Sequence, residues 1–361
     1  MNTKVKIKKS YFAFQEEQAS KLFAMCHASN FIEISKDNLL VAFFAGPYEG
    51  HSNTAIYLSY LKQGKNYKLC PLSDVMVKDL QAAPADQHSA QWNPVFFRVD
   101  EQHIILIFKE GNQISTWQSM ICHSYDNGET FSPAKELVPG DIGGRGPVRN
   151  KPLVTKSGKV LSPASLEDGP WRCFVDISDA NFTNIQKSQE VKVDLSDPLL
   201  SDRLIAAQDE ANSSLIPLSA QSFTGQGIIQ PTLFEDNLGV HMLMRSSLGY
   251  IFKADSGDEG LTWSQPYALE LPNNNSGIDL EHLGNDLFLC CNLVKANFGK
   301  RTPLTLLVST DGVNFQKIMD LDTHDGELSY PCIKAYQGGL LVSYTYDRRN
   351  IKLLELELIR D

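Results

Sequence analysis

Short runs of apolar residues separated by turn-forming residues dominate this 361-residue chain. Stretches such as NLLVAFFAG (38–46), HIILIFKE (103–110) and GLLVSYTY (339–346) have the length and the aliphatic and aromatic content of strands. Gly, Asp, Asn and Pro cluster between these runs, as expected of turns. No segment keeps an apolar period of about 3.6 residues over three helical turns. The pattern therefore predicts an all-β protein.

A short turn motif recurs between the predicted strands. SGDEGLTW (256–263) and SYDNGETF (124–131) share one frame, with Ser, then Asp two residues on, Gly four on and an aromatic residue seven on. STDGVNF (309–315) is a shortened copy, and SDANF (178–182) and SYLKQGKNY (59–67) are degraded copies. Ser and Asp side chains can bond local backbone and Gly allows a positive φ, so the motif predicts a hairpin turn rather than a catalytic loop.

The spacing of the motif predicts radial repetition. Its serines at 59, 124, 178, 256 and 309 lie 53 to 78 residues apart, and a four-stranded propeller blade needs roughly 40 to 60 residues. A chain of this length exceeds the usual size of a single-core domain, which also favours a repeat architecture. We predict one six-bladed β-propeller domain over residues 1–361, with five blades that carry the motif and a sixth closed by the two termini.

Composition and charge exclude several classes of partner. A net charge of −10 and a pI near 5.3 argue against a nucleic-acid partner, which normally requires a basic face. No stretch approaches the roughly 20 apolar residues of a membrane helix, and no apolar run of signal-peptide length follows the start, so we expect a cytoplasmic protein with no membrane partner. The seven cysteines are scattered, which indicates reduced core thiols. Without CxxC or HExxH spacing, we expect neither a metal nor a cofactor.

The repeated SxDxGxTW frame resembles the Asp-box of the sialidase superfamily, six-bladed propellers whose substrate site lies at the centre of the face opposite the boxes. QPTLFEDNLGVHMLMRS (230–246) is similar to the sialidase stretch in which Glu-Pro opens a strand and Arg closes the next. RTPLTLLVSTDG (301–312) and SYPCIKAYQGGLLVSYTY (329–346) resemble the stretches that carry the third arginine and the tyrosine nucleophile. CHASNFIEISKDNLLVAFFAG (26–46) occupies the place of the first-blade Arg-Ile-Pro segment, so the resemblance covers almost the whole chain.

This resemblance implies roles for individual residues. Arg245 and Arg301 match two members of the carboxylate-binding arginine triad of the family, and Tyr330 matches its nucleophile. Two positions depart from the family pattern, since His27 stands where the first arginine is expected and Gln230 where a glutamate normally assists the tyrosine. A phenol needs a base or strongly positive surroundings to attack near neutral pH, and an amide cannot take its proton. The ordinary sialidase mechanism therefore lacks its base and one clamp.

Two further residues are candidates for proton transfer. Glu49 lies near the place of the acid/base aspartate of the family, which implies a proton donor, and the alternative is a rim carboxylate paired with an arginine. His27 could act as a general base or acid because an ordinary imidazole titrates near neutral pH. The alternative for His27 is a buried histidine bonded to a carbonyl group.

The remaining candidates would bind substrate. The loop GGRGPVRNKP (143–152) holds Arg145, Arg149 and Lys151, which would form an anion site or, alternatively, a solvated basic loop. Neutral donors and aromatic surfaces for a sugar complete the predicted site: Gln230, Asn93, Asn275, Trp117 and Trp171. Each tryptophan could instead belong to the core between blades.

We therefore expect a sialidase-like enzyme that cleaves a terminal acidic sugar from a glycan as an exo-glycosidase, with a saccharide containing sialic or uronic acid as its partner. One alternative is a lyase acting by β-elimination at a uronic acid, which needs a neutralised carboxylate and a base for the α proton. Another is a non-catalytic propeller that binds a carboxylated glycan or a protein. Convergence of His27, Glu49 and Tyr330 would favour an enzyme over a binding protein.

Overall fold

Six antiparallel four-stranded sheets make up the protein in a computed structural model, which describes residues 3–77, 89–194, 227–294 and 300–359. The first long strands of neighbouring sheets pack against one another, as β2 does on β6 and β22, and β14 on β18. This arrangement confirms the predicted six-bladed β-propeller.

Each blade takes four strands that follow one another in the chain, except that blade 6 borrows its fourth strand from the amino-terminal end. A short helix, α1 (Glu16–Ala19), and single 3-10 turns at Leu72–Asp74 and Ile114–Thr116 lie in the connections. Blade 1 consists of β2 (Met25–Ser35), β3 (Asn38–Gly46), β4 (Ala55–Lys62) and β5 (Lys65–Pro71), and blade 2 of β6 (Gln91–Arg98), β7 (Ile104–Glu110), β8 (Gln118–Ser124) and β9 (Lys135–Glu136). Blade 3 consists of β10 (Leu153–Val154), β11 (Val160–Leu166), β12 (Arg172–Ser178) and β13 (Gln186–Lys187), and blade 4 of β14 (Ile228–Glu235), β15 (Val240–Ser246), β16 (Tyr250–Ser256) and β17 (Tyr267–Pro272). Blade 5 consists of β18 (Asp279–Leu283), β19 (Asp286–Cys291), β20 (Leu304–Ser309) and β21 (Gln316–Asp322), and blade 6 of β22 (Leu328–Tyr336), β23 (Gly339–Tyr346), β24 (Asn350–Ile359) and β1 (Lys4–Phe12).

Blade 6 joins the two ends of the chain, as predicted. Strand β1 pairs antiparallel with β24, from Lys4 opposite Ile359 to Phe12 opposite Lys352. The backbone hydrogen bonds of this pairing close the ring of blades, so the sequence-distant ends stabilise the whole domain.

The hydrophobic core lies between neighbouring sheets. Strand β3 is buried continuously from Leu39 to Gly46, because both faces of the sheet are covered by other structure. This explains why its sequence is a continuous apolar run rather than an alternating pattern. All seven cysteines are buried, as expected of core thiols. Within the described ranges no helix is both long and apolar enough to span a membrane.

The Ser-Asp-Gly turns connect the third and fourth strands of blades 2 to 5. In the turn that begins at Ser256, the Asp258 carboxylate accepts the backbone N–H of Thr262 at 2.9 Å and its hydroxyl at 2.6 Å, and Ser256 Oγ accepts the N–H of Gly260 at 2.9 Å. The motif therefore acts as a hairpin turn, as predicted. The copy assigned to 59–67 is a correction, because Ser59 lies inside β4 and its hydroxyl donates to the carbonyl of Ala13 instead of capping a turn.

Bulges interrupt the first strand of four blades where these strands approach one another. One residue in each bulge adopts a left-handed backbone conformation: Ala28 (φ 56°), Asn93 (φ 46°), Gln230 (φ 49°) and Tyr330 (φ 53°). A bulge re-aims the side chain it carries. Three of these residues precede proline in the sequence, so Asn-Pro, Gln-Pro and Tyr-Pro mark equivalent positions in blades 2, 4 and 6.

Candidate functional site

Tyr330 stands at the centre of the candidate site. Its phenol oxygen accepts a hydrogen bond of 2.9 Å from Nη1 of Arg245. The guanidinium carbons of Arg149, Arg245 and Arg301 lie 5.2, 5.3 and 5.7 Å from the centroid of its ring, and the imidazole ring of His27 lies 4.2 Å away, centroid to centroid. The fold thus brings together the tyrosine, the two arginines and the histidine that the sequence predicted, from blades 1, 4, 5 and 6.

Arg245 is a buried cation that is held by neutral groups. Its Nε donates to Oδ1 of Asn275 at 3.0 Å, and its Nη1 donates to Oε1 of Gln230 at 2.9 Å as well as to Tyr330. The side chain is 5% exposed, and within the described ranges it forms no ion pair. The amide oxygens orient the guanidinium without neutralising it, so its charge remains available to an anionic ligand. Gln230 and Asn275 therefore orient Arg245, and their binding of a substrate stays a prediction.

Arg301 belongs to a chain of alternating charges. Its Nη1 donates to Oε1 of Glu327 at 2.9 Å, and the other oxygen of that carboxylate accepts Nε of Arg348 at 2.9 Å. Nη1 of Arg348 in turn donates to Glu49. Burial by itself raises the pKa of Glu327, but the two guanidinium groups outweigh it and the pKa lies below its usual value. Glu49 is thus in the ion pair with an arginine that the sequence left open as the alternative to a proton donor.

His27 is buried and neutral. Its Nδ1 lies 3.0 Å from Oγ1 of Thr345, which also accepts the N–H of Ala28 at 3.1 Å. The threonine hydroxyl can donate its proton to Nδ1 or accept one from it, and Nε2 has no hydrogen-bond partner within the described residues. Burial, followed by nearby guanidinium groups with that of Arg348 first, holds the pKa of His27 well below 6.5. The imidazole therefore has an unpaired ring nitrogen, Nε2, beside Tyr330.

The predicted anion site built from Arg145, Arg149 and Lys151 does not form. Arg145 is held by Asp176, with Nη2 at 2.9 Å from Oδ1, and by Asp141, with Nη1 at 2.7 Å from Oδ2. Its charge is neutralised between blades 2 and 3. The three cations have separate partners, since Arg145 binds Asp176, Arg149 binds the carbonyl of Tyr330, and Lys151 binds Asp279.

Residues 149–151 instead join blade 3 to the other half of the ring. Nη2 of Arg149 donates to the carbonyl oxygens of Tyr330 and the following proline at 2.6 and 3.1 Å, and Nδ2 of Asn150 donates to those of Gln230 and its following proline, both at 3.1 Å. Lys151 Nζ contacts Asp279 at 3.0 Å and the carbonyl oxygens of Leu280 and Ile333 at 2.6 and 2.7 Å. The Arg-Asn-Lys segment positions the left-handed residues Gln230 and Tyr330, and its Arg149 and Asn150 are buried.

Arg149 differs from its neighbours because part of its guanidinium has no partner. The side chain is 2% exposed, and Nε and Nη1 are buried without a hydrogen bond within the described residues. Desolvation by burial lowers the pKa of Arg149. A buried cation in this position contributes positive potential to the ring of Tyr330 without touching a ligand.

The two tryptophans that were predicted to stack on a sugar lie in different environments. Trp117 is 2% exposed, donates to the carbonyl of Gly143 at 2.8 Å and packs edge-to-face on Trp92, with ring centroids 5.8 Å apart. It lies in the core between blades, so the prediction that it stacks on a sugar is corrected. Trp171 is partly exposed and its backbone bridges to Gly227. Asn93 is buried, with 4% of its surface exposed.

Sequence reasoning missed four polar residues of the site: Glu167, Glu327, Thr345 and Arg348. Glu167 follows β11, and burial raises the pKa of its carboxyl group, with Arg245 lowering it and Glu49 raising it further. Glu327 lies three residues before Tyr330 and could have been suspected from that spacing. Arg348 and Glu167 come from loops without a motif, so only the folded ring reveals them.

The chain is similar to a known protein family. The model of the BNR repeat-like domain family matches residues 37–342. No curated protein matches the chain.

Several solved structures are similar in fold. A protein of unknown function from Dyadobacter fermentans superposes with a TM-score of 0.68 at 15% identity, covering 98% of this chain and 99% of that one. The Hadza microbial sialidase Hz136 has a TM-score of 0.66 at 14% identity, covering 96% and 68%. Trypanosoma rangeli sialidase in complex with the inhibitor DANA has a TM-score of 0.67 at 10% identity, covering 92% of this chain and 55% of that one.

Proposed function

The chain belongs to the family of BNR repeat-like domains, and from that premise we propose that it is a sialidase-like, carbohydrate-active enzyme that releases a terminal acidic sugar from a glycan. One observation carries the proposal: the phenol of Tyr330 is bonded by Arg245 and lies within 6 Å of three guanidinium carbons. The likeness of the fold to sialidases, one of them in complex with an inhibitor, supports a sugar as the ligand.

The cations account for an acidic substrate. Arg245 has no ion-pair partner within the described residues, although it is buried. A carboxylate on the sugar would accept two parallel charge-assisted hydrogen bonds from a guanidinium, which fixes both its position and its orientation. Positive charge is concentrated here in a chain of net charge −10, so the site attracts anions locally while the surface as a whole does not.

Tyr330 is the proposed nucleophile. Its oxygen attacks the anomeric carbon as the phenol proton passes to water, the bond to the leaving oxygen breaks with protonation of that oxygen, and water later hydrolyses the glycosyl-tyrosine bond and restores the phenol. An uncharged phenol suits a substrate whose own carboxylate would repel a carboxylate nucleophile. The bond from Arg245 and the neighbouring cations stabilise negative charge as it develops on the phenol oxygen.

Two further residues complete the proposal. Glu167 is the proposed donor of a proton to the leaving oxygen, because burial raises the pKa of its carboxyl group while Glu49 is engaged with Arg348. The N–H of His27 is proposed to donate to an oxygen of the substrate, since its Nε2 is otherwise without a partner in the described part of the chain.

Turnover of acidic glycans by the purified protein tests this proposal. Sialosides and uronic-acid oligosaccharides are incubated with the wild type, with Tyr330→Phe and with Tyr336→Phe, a control at the opposite end of the same strand. We expect the wild type and Tyr336→Phe to release a monosaccharide, and Tyr330→Phe to lose at least about 1000-fold in kcat/KM, on the scale of removing a nucleophile. No release from any acidic glycan would overturn the proposal.

β-Elimination is the second candidate. The observation that favours it is the amide of Gln230 next to Arg245, where the family has a glutamate beside the tyrosine. In that reaction the cations would neutralise the carboxylate of a uronic acid and Tyr330 would remove the α proton. The product would carry a carbon–carbon double bond conjugated with the carboxylate, so a rise in ultraviolet absorbance during turnover distinguishes the lyase from the hydrolase.

A further inference from the structure

A groove outside the central site lies between blade 6 and blade 1. Its volume is about 720 Å³, which falls in the range of small-ligand sites, about 300–1,000 Å³. Three segments that are distant in the chain line it: the end of β1 and the connection after it as far as Glu16, the turn between β4 and β5 at Gly64, and the turn between β23 and β24 at Asp347. The groove therefore forms only when β1 joins blade 6 and closes the ring.

Aromatic residues supply flat apolar surface to the groove. Tyr11, Phe12 and Tyr346 are among the residues that line it. Phe12 is 41% exposed, and its ring packs edge-to-face on that of Tyr346, with centroids 5.4 Å apart. Gly64 approaches the third ring closely, because a β carbon at its position would lie 3.1 Å from Cδ1 of Tyr11. Rings that are fixed by packing and partly exposed offer apolar faces to the C–H groups of a sugar ring.

Polar side chains without partners also line the groove. Gln15, Glu16, Lys65 and Arg349 are exposed, and their side chains form no hydrogen bond or ion pair within the described residues. Together they offer both donors and acceptors, as a sugar hydroxyl requires, since a hydroxyl donates one hydrogen bond and accepts others. With Asp347, the groove has two anionic and two cationic side chains. This balance suits an uncharged polyhydroxyl ligand better than an anion.

The groove borders the central site. The carboxylate of Asp347, in the wall of the groove, accepts the backbone N–H of Glu327 at 2.9 Å, and the Glu327 side chain in turn binds Arg301 of the site. Arg348, the next residue in the turn, binds Glu327 and does not line the groove. The turn between β23 and β24 therefore contributes residues to both the groove and the site.

We propose that this groove is a second carbohydrate-binding site, which takes uncharged sugars of an oligosaccharide. The aromatic rings contact the C–H faces of the sugar rings, and the polar side chains exchange hydrogen bonds with the hydroxyl groups. The inference goes beyond the proposed activity, since the groove can bind a sugar whether or not Tyr330 acts on a substrate. The balanced charge of the groove distinguishes it from the central site, where three guanidinium groups surround one phenol ring.

Ligand-observed NMR titrations with lactose, maltotriose and cellotriose, three uncharged oligosaccharides, test the inference. They are performed on the wild type, Phe12→Ala, Phe12→Leu and Arg349→Ala. Tyr125→Ala is the matched control, because Tyr125 is 66% exposed and follows β8 of blade 2, outside the groove. Arg245→Ala tests whether the sugar binds in the central site instead. Melting temperatures of all variants are measured in parallel to verify folding.

We expect the wild type to bind at least one of the three oligosaccharides saturably, and Tyr125→Ala and Arg245→Ala to bind it equally well. Phe12→Ala should weaken this binding at least about fivefold because apolar contact with the sugar is lost. Phe12→Leu should fall between them, since it keeps apolar volume without a flat ring. Arg349→Ala should weaken binding at least about threefold through loss of a hydrogen-bond donor, and it decides the outcome if Phe12→Ala does not fold.

Three results would overturn the inference. The first is a wild type that binds none of the three oligosaccharides. The second is weaker binding in Arg245→Ala but not in Phe12→Ala or Arg349→Ala, which would place the sugar in the central site. The third is equal weakening in Phe12→Ala and Tyr125→Ala, which would indicate unspecific contact with exposed aromatic side chains. The proposed release of an acidic sugar is measured separately, by turnover, and none of these results decides it.

Discussion

The turn at Ser256 and the site at Tyr330 satisfy their polar groups in opposite ways. In the turn, donors and acceptors pair within a few residues, as between Asp258 and Thr262. At the site, Arg245 and Arg149 both donate to Tyr330, which lies in another blade, and polar atoms such as Nε2 of His27 are buried without a partner in the described residues. Local pairing is typical of a structural repeat, whereas bonds between blades are typical of a site that the ring assembles; buried unpaired donors occur in both regions, since Nε1 of Trp263 in the turn also has no partner in the described residues.

Energetics explain why the difference is informative. A buried donor without a partner costs about 1–3 kcal/mol, and a domain of ordinary stability has only about 5–15 kcal/mol in total. The chain tolerates such buried polar groups on Arg149 and His27 beside Tyr330. The turns at the other end of the blades contribute stability. We infer that stability and activity reside in different ends of the propeller and can be separated by mutation.

The largest expected effect is at the site. Arg245→Ala should reduce kcat/KM on an acidic sugar roughly 100-fold, because a charge-assisted hydrogen bond contributes about 1.5–3 kcal/mol and about 1.4 kcal/mol is tenfold. The free energy of unfolding should change by no more than about 1–3 kcal/mol, because removal of a buried charge offsets the loss of a donor to the amide oxygens of Gln230 and Asn275. Steady-state kinetics and urea unfolding measure the two quantities. A large loss of stability would show that Arg245 stabilises the fold and would contradict the proposed difference between the two regions.

The turn should show the reverse effect. Asp258→Ala removes acceptors for the backbone N–H and hydroxyl of Thr262, and we expect the free energy of unfolding to fall by about 1–2 kcal/mol. The value of kcat/KM should stay unchanged. Glu259→Ala in the same turn is the control, and its exposed ion pair with Lys159 should matter less. Lower activity of folded Asp258→Ala would show that the turn contributes to the site.

The smallest effect is a pH dependence of stability. Because the pKa of His27 lies well below 6.5 in the folded protein, lowering the pH below about 6.5 protonates the unfolded chain first and destabilises the fold, by less than about 1.4 kcal/mol per pH unit. The loss stops once the pH passes below the folded pKa. The free energy of unfolding, measured with urea between neutral pH and the acid limit, should fall less steeply with decreasing pH for His27→Asn than for the wild type. Equal slopes for the wild type and the variant would mean that His27 is charged in the fold.

The sequence predicted the framework of the site well and its detailed chemistry poorly. The recurring turns and the apolar runs are local signals and indicated six blades, whereas Arg245, Arg301 and Tyr330 were singled out by the resemblance to the sialidase superfamily. The basic loop was misjudged, because three cations within seven residues do not show which partner each side chain will bind. Lys151 binds Asp279 of blade 5, a partner more than a hundred residues away.

What the sequence by itself determined is the set of blades, because turn chemistry and strand periodicity depend on neighbours in the chain. Only the tertiary structure decided which residues meet there. Arg348 reaches the first blade because the ends of the chain close the ring, and His27 becomes neutral because burial and cations from other blades surround it. Charge and burial at a site depend on distance in space, which a linear pattern does not contain.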